Sequence, residues 1–389
     1  MAGGGVFGFV SNCRFSHNDT SSATNVCPSL SCAAPRSERL IRMIADRHLK
    51  TMTGLVAAVA LLWAISVASA VFAPLALALF IIAIVWPLQD WLQSRMPKLL
   101  ALAICVLIIF LVFLAFTSLV VWSFGRVGRW LMNDAGRLQL LYDQAVSRLE
   151  SHGLSVTGLW VDHFNAGWLV RAVQQVAGRV NTTMSFWLIA LVYVILGLLE
   201  VDDMRRKVLS LSNRDAARML IDGSAATAIK FRRYLFVRTH MSALTGLLVW
   251  LFAWLSGLQF AAEWGVIAFV LNYIPFIGPF IATMFPTLFA IAQYETWQAV
   301  LGLFICLNII QFVVGSYVEP RVSGNVLSIS PFVVLFAIFL WTFLWGLFGA
   351  FIGVPIAIAV VTFCAQHPPS RWVAHLLGGP AQIGSGKQD

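Results

Sequence analysis

The 389-residue chain is 59% hydrophobic and only 11% charged, and its formal net charge is +9. Soluble globular domains carry about 25% charged residues, so this composition, with a mean hydropathy of +0.83, excludes an ordinary water-soluble fold. We interpret the basic balance as a membrane-topology signal because Lys and Arg collect on the cytoplasmic side of membrane proteins. A nucleic-acid partner is therefore not expected, and the lipid bilayer is.

Long apolar runs predict an all-α polytopic membrane protein. A bilayer core of about 30 Å needs about 20 apolar residues per spanning helix, and helices satisfy their own backbone hydrogen bonds in lipid. The runs give eight candidate spans, at about residues 54–72, 75–92, 99–123, 183–200, 240–258, 298–318, 329–346 and 347–364.

The first fifty residues differ in composition from the rest of the chain. Residues 1–50 are rich in Ser, Asn, Gly and Ala and show no helical or strand period, so we expect a disordered cytoplasmic tail. Their early apolar run is too short for a signal peptide and lacks a basic lead; translation starting at Met43 is an alternative. Their cysteines lack zinc-finger spacing, and we expect no metal and no cofactor.

The distribution of Lys and Arg sets the expected orientation. Basic residues collect before the first span, after the second, and in the segment 201–239, which places both termini, including 366–389, in the cytoplasm. The long connection 124–182 is then extracytoplasmic. Part of it has apolar residues at helical spacing, which predicts an amphipathic helical segment acting as a cap, an oligomer contact or a substrate-gathering domain.

A proline- and glycine-containing break interrupts the apolar stretch 261–292. Its sequence is LNYIPFIGPF, and it contains Asn272, Pro275, Gly278 and Pro279. Each half is too short to cross a bilayer alone, so the stretch forms either a re-entrant hairpin or one discontinuous element. Breaks at membrane depth often expose backbone groups to transported solutes; the alternative is a packing kink without a ligand.

Few polar side chains surround this break. Glu263 and Gln311 are the two that we place on a transport pathway with Asn272, because polar groups at membrane depth are functional candidates. Glu263 is the weakest of them, since at the end of its helix it is expected to be solvated at the interface.

A second polar constellation follows the sixth candidate span. Glu319 and Arg321 flank Pro320, which we expect to end the helix. The two charges, paired with each other or with neighbouring helices, would form a cytoplasmic gate; an ordinary solvated turn explains them equally well.

Small residues mark the end of the last two spans. Gly346, Gly349 and Gly353 include a small-xxx-small spacing that lets two membrane helices approach closely. This spacing indicates helix packing and not chemistry.

The chain resembles a known family in its C-terminal half. The runs IKFRRYLFVRTHMSALTG, WGVIAFVLNYIPFIGPFIATMFPTLFA and VEPRVSGNVLSISPFVVLFAIFLWTFLWGLFGAFIGVPIA are similar to the autoinducer-2 exporter (AI-2E) family, also called PerM-like permeases. The resemblance implies a transporter domain over 51–365, a bacterial inner-membrane location and a homo-oligomer. Its members include autoinducer-2 exporters and proteins assigned as Na⁺(Li⁺)/H⁺ antiporters.

Three functions follow as hypotheses, none of them enzymatic: export of a small solute, cation/proton antiport, and a non-transporting membrane scaffold. Antiport needs a titrating carboxylate at membrane depth, for which Glu263 and Glu319 are the candidates. Phe276 stands where the signal-exporter branch tends to have a polar residue, which disfavours a polar furanone-type substrate. The string GSGKQD lacks the spacing of a P-loop, so we expect a secondary permease.

Overall fold

The computed structural model describes the backbone of residues 36–133, 180–294, 296–323 and 329–378. Two compact units divide the chain, residues 1–61 and 62–389. The described part of the first unit is the N-terminal part of one helix, and every contact given below lies within the second. Most of the predicted amphipathic segment in 124–182 lies outside the described residues.

Helices make up nearly all of the described chain, which confirms the predicted fold class. In order they are α1 (Arg36–Val67), α2 (Ser69–Gln93), α3 (Lys98–Asn133), α4 (Val180–Leu209), α5 (Arg214–Leu255), α6 (Ala261–Leu271), α7 (Ile277–Gln293), α8 (Trp297–Val313), α9 (Glu319–Ser323), α10 (Pro331–Trp345), α11 (Leu347–Gln366) and α12 (Arg371–Leu377). In this part of the chain, 7 helices are long and apolar enough to cross a membrane. The predicted span 329–346 is the exception, because α10 has only 15 residues.

Helix α5 is the longest helix and the scaffold of the unit. It runs for 42 residues, about 63 Å at 1.5 Å per residue, and so includes both the predicted cytoplasmic helix and the predicted span 240–258. The Asn213 side chain caps its N-terminus by accepting from the backbone N–H groups of Asp215 and Ala216 at 3.1 Å. This cap satisfies donors that the first turn leaves without helical partners.

Helices α6 and α7 form a re-entrant hairpin, here called hairpin A. The Gln293 side chain closes its open end against the C-terminal end of α5: its Oε1 accepts from the Gln259 N–H at 2.8 Å, and its Nε2 donates to the Gly257 carbonyl at 2.7 Å. The Tyr294 hydroxyl donates to the Ser256 carbonyl at 2.9 Å. Both arms therefore start and finish beside the same end of α5, which excludes one discontinuous crossing element.

Helices α10 and α11 form a second helical hairpin, hairpin B, where two separate spans were predicted. The Ser330 N–H donates to the Leu377 carbonyl at 3.1 Å across its open end. The two arms pack closely, since a Cβ built on Gly353 would lie 3.0 Å from the Ala337 carbonyl oxygen. The chain reverses at Gly346, whose φ of +64° belongs to the left-handed region that glycine tolerates.

The two hairpins lie along α5 with opposite orientations. Near the N-terminal end of α5, a Cβ on Gly223 would lie 2.8 Å from the Phe363 ring, which belongs to the outer part of hairpin B. Hairpin A opens at the other end of α5. The tips meet between these ends, where the Tyr273 and Phe351 rings lie 6.1 Å apart between centroids.

Candidate functional site

The tip of hairpin A contains a strained turn. The Pro275 carbonyl accepts a hydrogen bond from the Ile277 N–H at 2.7 Å, and the residue between them, Phe276, has φ +63° and ψ −54°. These are the dihedrals of the rarer γ-turn. A side chain held in such a region costs about 1 to 3 kcal/mol, and strain of this kind clusters at functional sites.

The prolines explain why the chain turns there without losing hairpin A. Pro279 is the third residue of α7, a position where the backbone N–H would have no helical partner. Its missing donor therefore costs nothing and its fixed φ favours the first turn. Pro275, in contrast, lies in the turn between α6 and α7, where α6 has already ended.

Gly278 forms the neck of hairpin A. Its N–H donates to the Ile274 carbonyl at 3.0 Å, and a Cβ built on it would overlap the Leu271 carbonyl oxygen of the opposite arm. Glycine is thus the residue that lets the two arms approach. Gly349 has the same relation to Trp341 in hairpin B.

Polar side chains of α5 contact the tip of hairpin A. Asn272 is 5% exposed, and its Nδ2 donates to Ser242 Oγ at 3.3 Å. The Tyr273 hydroxyl and the Thr239 hydroxyl are hydrogen-bonded at 3.0 Å. The predicted pathway residue Asn272 therefore lies on a buried polar contact between the tip and the middle of α5.

Glu263 is buried, which corrects the prediction that it is solvated. Its residue is 3% exposed, and its Oε1 accepts from Arg126 Nη1 at 2.7 Å. The pair forms because α3 continues past the predicted end at residue 123 and brings Arg126 alongside α6. Glu263 also lies in the first turn of α6, where the helix dipole stabilises an acidic side chain.

Glu319 pairs with an arginine of α5 and not with Arg321. Its Oε1 accepts from Arg238 Nη1 at 2.7 Å, with the two side chains 23% and 6% exposed respectively. Arg321 lies over the ring of Tyr317, 5.9 Å from its centroid. The possibility of a contact with a neighbouring helix, left open by the sequence, is the one observed.

The helix continues through Pro320, which contradicts the prediction that this proline ends it. Residues Val314–Val318 form a π-helical turn, and α9 follows without a gap. The Glu319 N–H donates to the Val314 carbonyl, five residues earlier. The wider turn accommodates a proline that has no N–H to donate, and Glu319 leaves this turn facing α5.

Gln311 lies on α8, two helical turns before Glu319. Among the described residues, its Nε2 is a buried donor without a hydrogen-bond partner, as are Arg238 Nε and the Thr245 hydroxyl. The structure gives no direct contact between Gln311 and Asn272.

Sequence reasoning missed both arginines. Arg238 was counted with the basic cytoplasmic segment 201–239, and Arg126 with the extracytoplasmic connection. A signal for Arg238 does exist: Ser242 and Thr245 follow it at helical spacing, which places three polar groups on one face of an otherwise apolar helix.

A family model described as "AI-2E family transporter" matches residues 55–368 of the chain. The chain is 28% identical to the "AI-2 transport protein TqsA" of Escherichia coli over 323 residues, which cover 82% of this chain and 92% of that protein. It is 28% identical over 318 residues to a Borreliella burgdorferi protein named "Putative transport protein", covering 81% and 87% of the two chains. With the E. coli protein named "Putative transport protein YhhT" it shares 33% identity over 147 residues, 37% and 41% of the two chains.

Proposed function

Because the chain belongs to the AI-2E transporter family, we propose that it is a secondary permease of the bacterial inner membrane that exports a small solute at the broken helix 261–292. The tip of hairpin A carries this proposal. A strained turn at Phe276 and the buried contact of Asn272 with Ser242 lie beside the middle of α5. Non-helical backbone at membrane depth is tolerated where protein or a water-filled cavity receives it, and such breaks bind solutes in transporters.

The opposed hairpins supply a route for alternating access. A solute held where the tips meet reaches one side of the membrane when hairpin A moves away, and the other side when hairpin B does. Glu319, Pro320 and Arg321 form the proposed cytoplasmic gate on this route, with the Arg238 pair closing it. The Gly346, Gly349 and Gly353 positions keep the arms of hairpin B together.

The relatives support a small metabolite as the solute. One of them is named for AI-2 transport, and an autoinducer-2-like or other small metabolite fits the size of a site between two hairpin tips. Phe276, 54% exposed at the tip, makes the rim of this site more apolar than a polar furanone would require.

Na⁺(Li⁺)/H⁺ antiport is the second candidate, favoured by two carboxylates at or near membrane depth. Glu263 and Glu319 are each paired with an arginine at 2.7 Å. A cation binding at either carboxylate must compete with that arginine, and breaking a buried pair is costly. Export of an organic solute avoids this competition and is therefore preferred.

A transport assay in sealed liposomes separates these functions. The purified protein is reconstituted with an internal pH dye, and Na⁺ or Li⁺ gradients are imposed on wild type and on Gly278→Leu. A cation-dependent pH change that the variant lacks supports antiport. No pH response, together with efflux of small signalling metabolites that the variant lacks, supports the exporter; equal behaviour of both proteins in every assay supports the scaffold.

The topology and assembly are proposed on the positive-inside pattern and the family resemblance. Residues 1–50, 201–239 and 366–389 are placed in the cytoplasm and 124–182 outside, and the chain is proposed to form a homo-oligomer. Reporter fusions at both termini and native mass spectrometry test these two statements.

A further inference from the structure

A polar column runs between α5, α8 and the tip of hairpin A. Val237 and Met241 of α5 pack in one core cluster with Val314, and Leu248 packs there with Ile310. Helices α5 and α8 are therefore antiparallel, in a register that brings Gln311 level with Thr245. The column consists of Arg238, Ser242, Thr245, Asn272, Gln311 and Glu319.

Buried donors without partners line this column. Within the described residues, neither Arg238 Nε nor Gln311 Nε2 has a hydrogen-bond partner, and the buried hydroxyl of Thr245 has none. The two nitrogens only donate hydrogen bonds. Burying a donor without an acceptor is unfavourable, so a ligand that satisfies this column must bring oxygen acceptors.

The charge of Arg238 specifies the ligand further. One contact, from Nη1 to Glu319 Oε1, uses one of the donors of a guanidinium fork that matches both oxygens of a carboxylate or phosphate. Glu319 is partly exposed, with 23% of its side chain accessible, so it can exchange Arg238 for water. Tyr234 and Tyr273 both lie within electrostatic range of Arg238, which places it beside the tip of hairpin A.

We propose that the polar column binds a small organic anion, whose carboxylate replaces Glu319 at Arg238 while its other oxygens accept from Gln311 and Thr245. Arg238 and Thr245 are seven residues apart on α5, about 10 Å along the helix axis, which suits an anion the size of a short hydroxy acid. The inference rests on the proposed transport function and specifies its substrate class.

Ligand binding is measured without transport. The full-length protein in detergent is titrated with lactate, inorganic phosphate or glycerol at constant ionic strength, and the thermal-unfolding midpoint is followed. Lactate is expected to stabilise wild type saturably, and glycerol is not. Arg238→Gln should raise the apparent Kd for lactate at least tenfold, and Glu319→Gln should lower it severalfold because it frees Arg238.

Two further variants control for folding and for charge. Arg238→Gln combined with Glu319→Gln leaves no unpaired charge in the column, so it should fold well and still fail to bind lactate. Arg206→Gln removes an exposed pair with Asp203 whose arginine is 76% accessible, and it should bind lactate as wild type does.

Several results would overturn the inference. They are wild-type lactate affinity in Arg238→Gln, weaker binding in Glu319→Gln, no stabilisation by either anion, and phosphate binding that replaces lactate binding. Solute flux in liposomes is scored separately. Flux of neutral metabolites without anion binding contradicts only the anion site, whereas anion binding without flux of any solute contradicts the transport function.

Discussion

At the scale of single residues, glycine at position 278 determines how closely the arms of hairpin A approach. The Leu271 carbonyl occupies the space that any Cβ would need. Phe276, two residues earlier, has the opposite property, because it holds a backbone conformation that glycine tolerates better. The tip thus combines one position where only glycine fits with one where a larger residue is kept at a cost.

Replacing Gly278 by alanine is expected to open the neck and displace the tip. Overpacking of this kind costs about 1 to 3 kcal/mol, and solute flux should fall at least tenfold while insertion continues. Flux in liposomes and the thermal-unfolding midpoint measure the two effects. Gly302→Ala on α8 is the matched control, since nothing lies within 4 Å of its Cβ position; equal flux in both variants would contradict the role of the neck.

Replacing Phe276 by glycine is expected to raise stability by about 1 kcal/mol, because relief of the positive φ exceeds the entropy cost of glycine. The unfolding midpoint in detergent tests this. Phe280→Gly provides the contrast: Phe280 lies inside α7, where glycine costs about 1 kcal/mol, so its midpoint should fall. A lower midpoint for both variants would argue against strain at Phe276.

At the scale of elements, two ion pairs join helices that are far apart in sequence. Arg126–Glu263 links α3 to hairpin A near its open end, and Arg238–Glu319 links α5 to α9 near the tips. Each has one well-buried member, so loss of one partner leaves a charge without compensation. The pairs therefore fix how the helices dock more than they add net stability.

A double-mutant cycle on the first pair tests this docking role. Arg126→Gln leaves the buried Glu263 carboxylate unpaired and should cost about 2 kcal/mol, below the 3 to 5 kcal/mol of a fully buried pair, because Arg126 itself is 51% exposed. Adding Glu263→Gln should recover most of this loss. Unfolding midpoints of the four proteins give the coupling; additive losses would mean that the two residues do not interact.

At the scale of the whole second unit, the hairpins face each other along α5 with their tips in contact. Tyr273 of hairpin A and Phe351 of hairpin B make the closest aromatic contact described between the two tips. Transport by alternating access requires this contact to break in one state. A tether across the tips should therefore trap the protein in a single state.

Cysteines at positions 273 and 351, in a variant without the 6 native cysteines, allow such a tether. A short thiol-specific cross-linker is expected to reduce flux at least tenfold, and a cross-linker cleavable by reductant should allow recovery. Cysteines at 259 and 293 are the control, because Gln259 and Gln293 are already hydrogen-bonded at the open end of hairpin A. Undiminished flux with the tips fully cross-linked would exclude their separation.

Much of the fold was predictable because its signals are local. Apolar runs of spanning length predicted the helices, and Pro275, Gly278 and Pro279 located the break correctly. Contacts between distant residues were not predictable in this way. Nothing near Glu263 in the sequence indicates Arg126, and nothing near Glu319 indicates Arg238, since an ion pair across 81 or 137 residues leaves no periodic pattern.

The sequence by itself determined that this is an all-α membrane protein of the AI-2E family with a break at residues 275–279, because composition, run length and backbone chemistry are properties of short segments. Only the tertiary structure decided that the break is the tip of a re-entrant hairpin, that a second hairpin faces it, and that the helix passes through Pro320. Those outcomes depend on which surfaces pack together, and packing is settled by the whole unit.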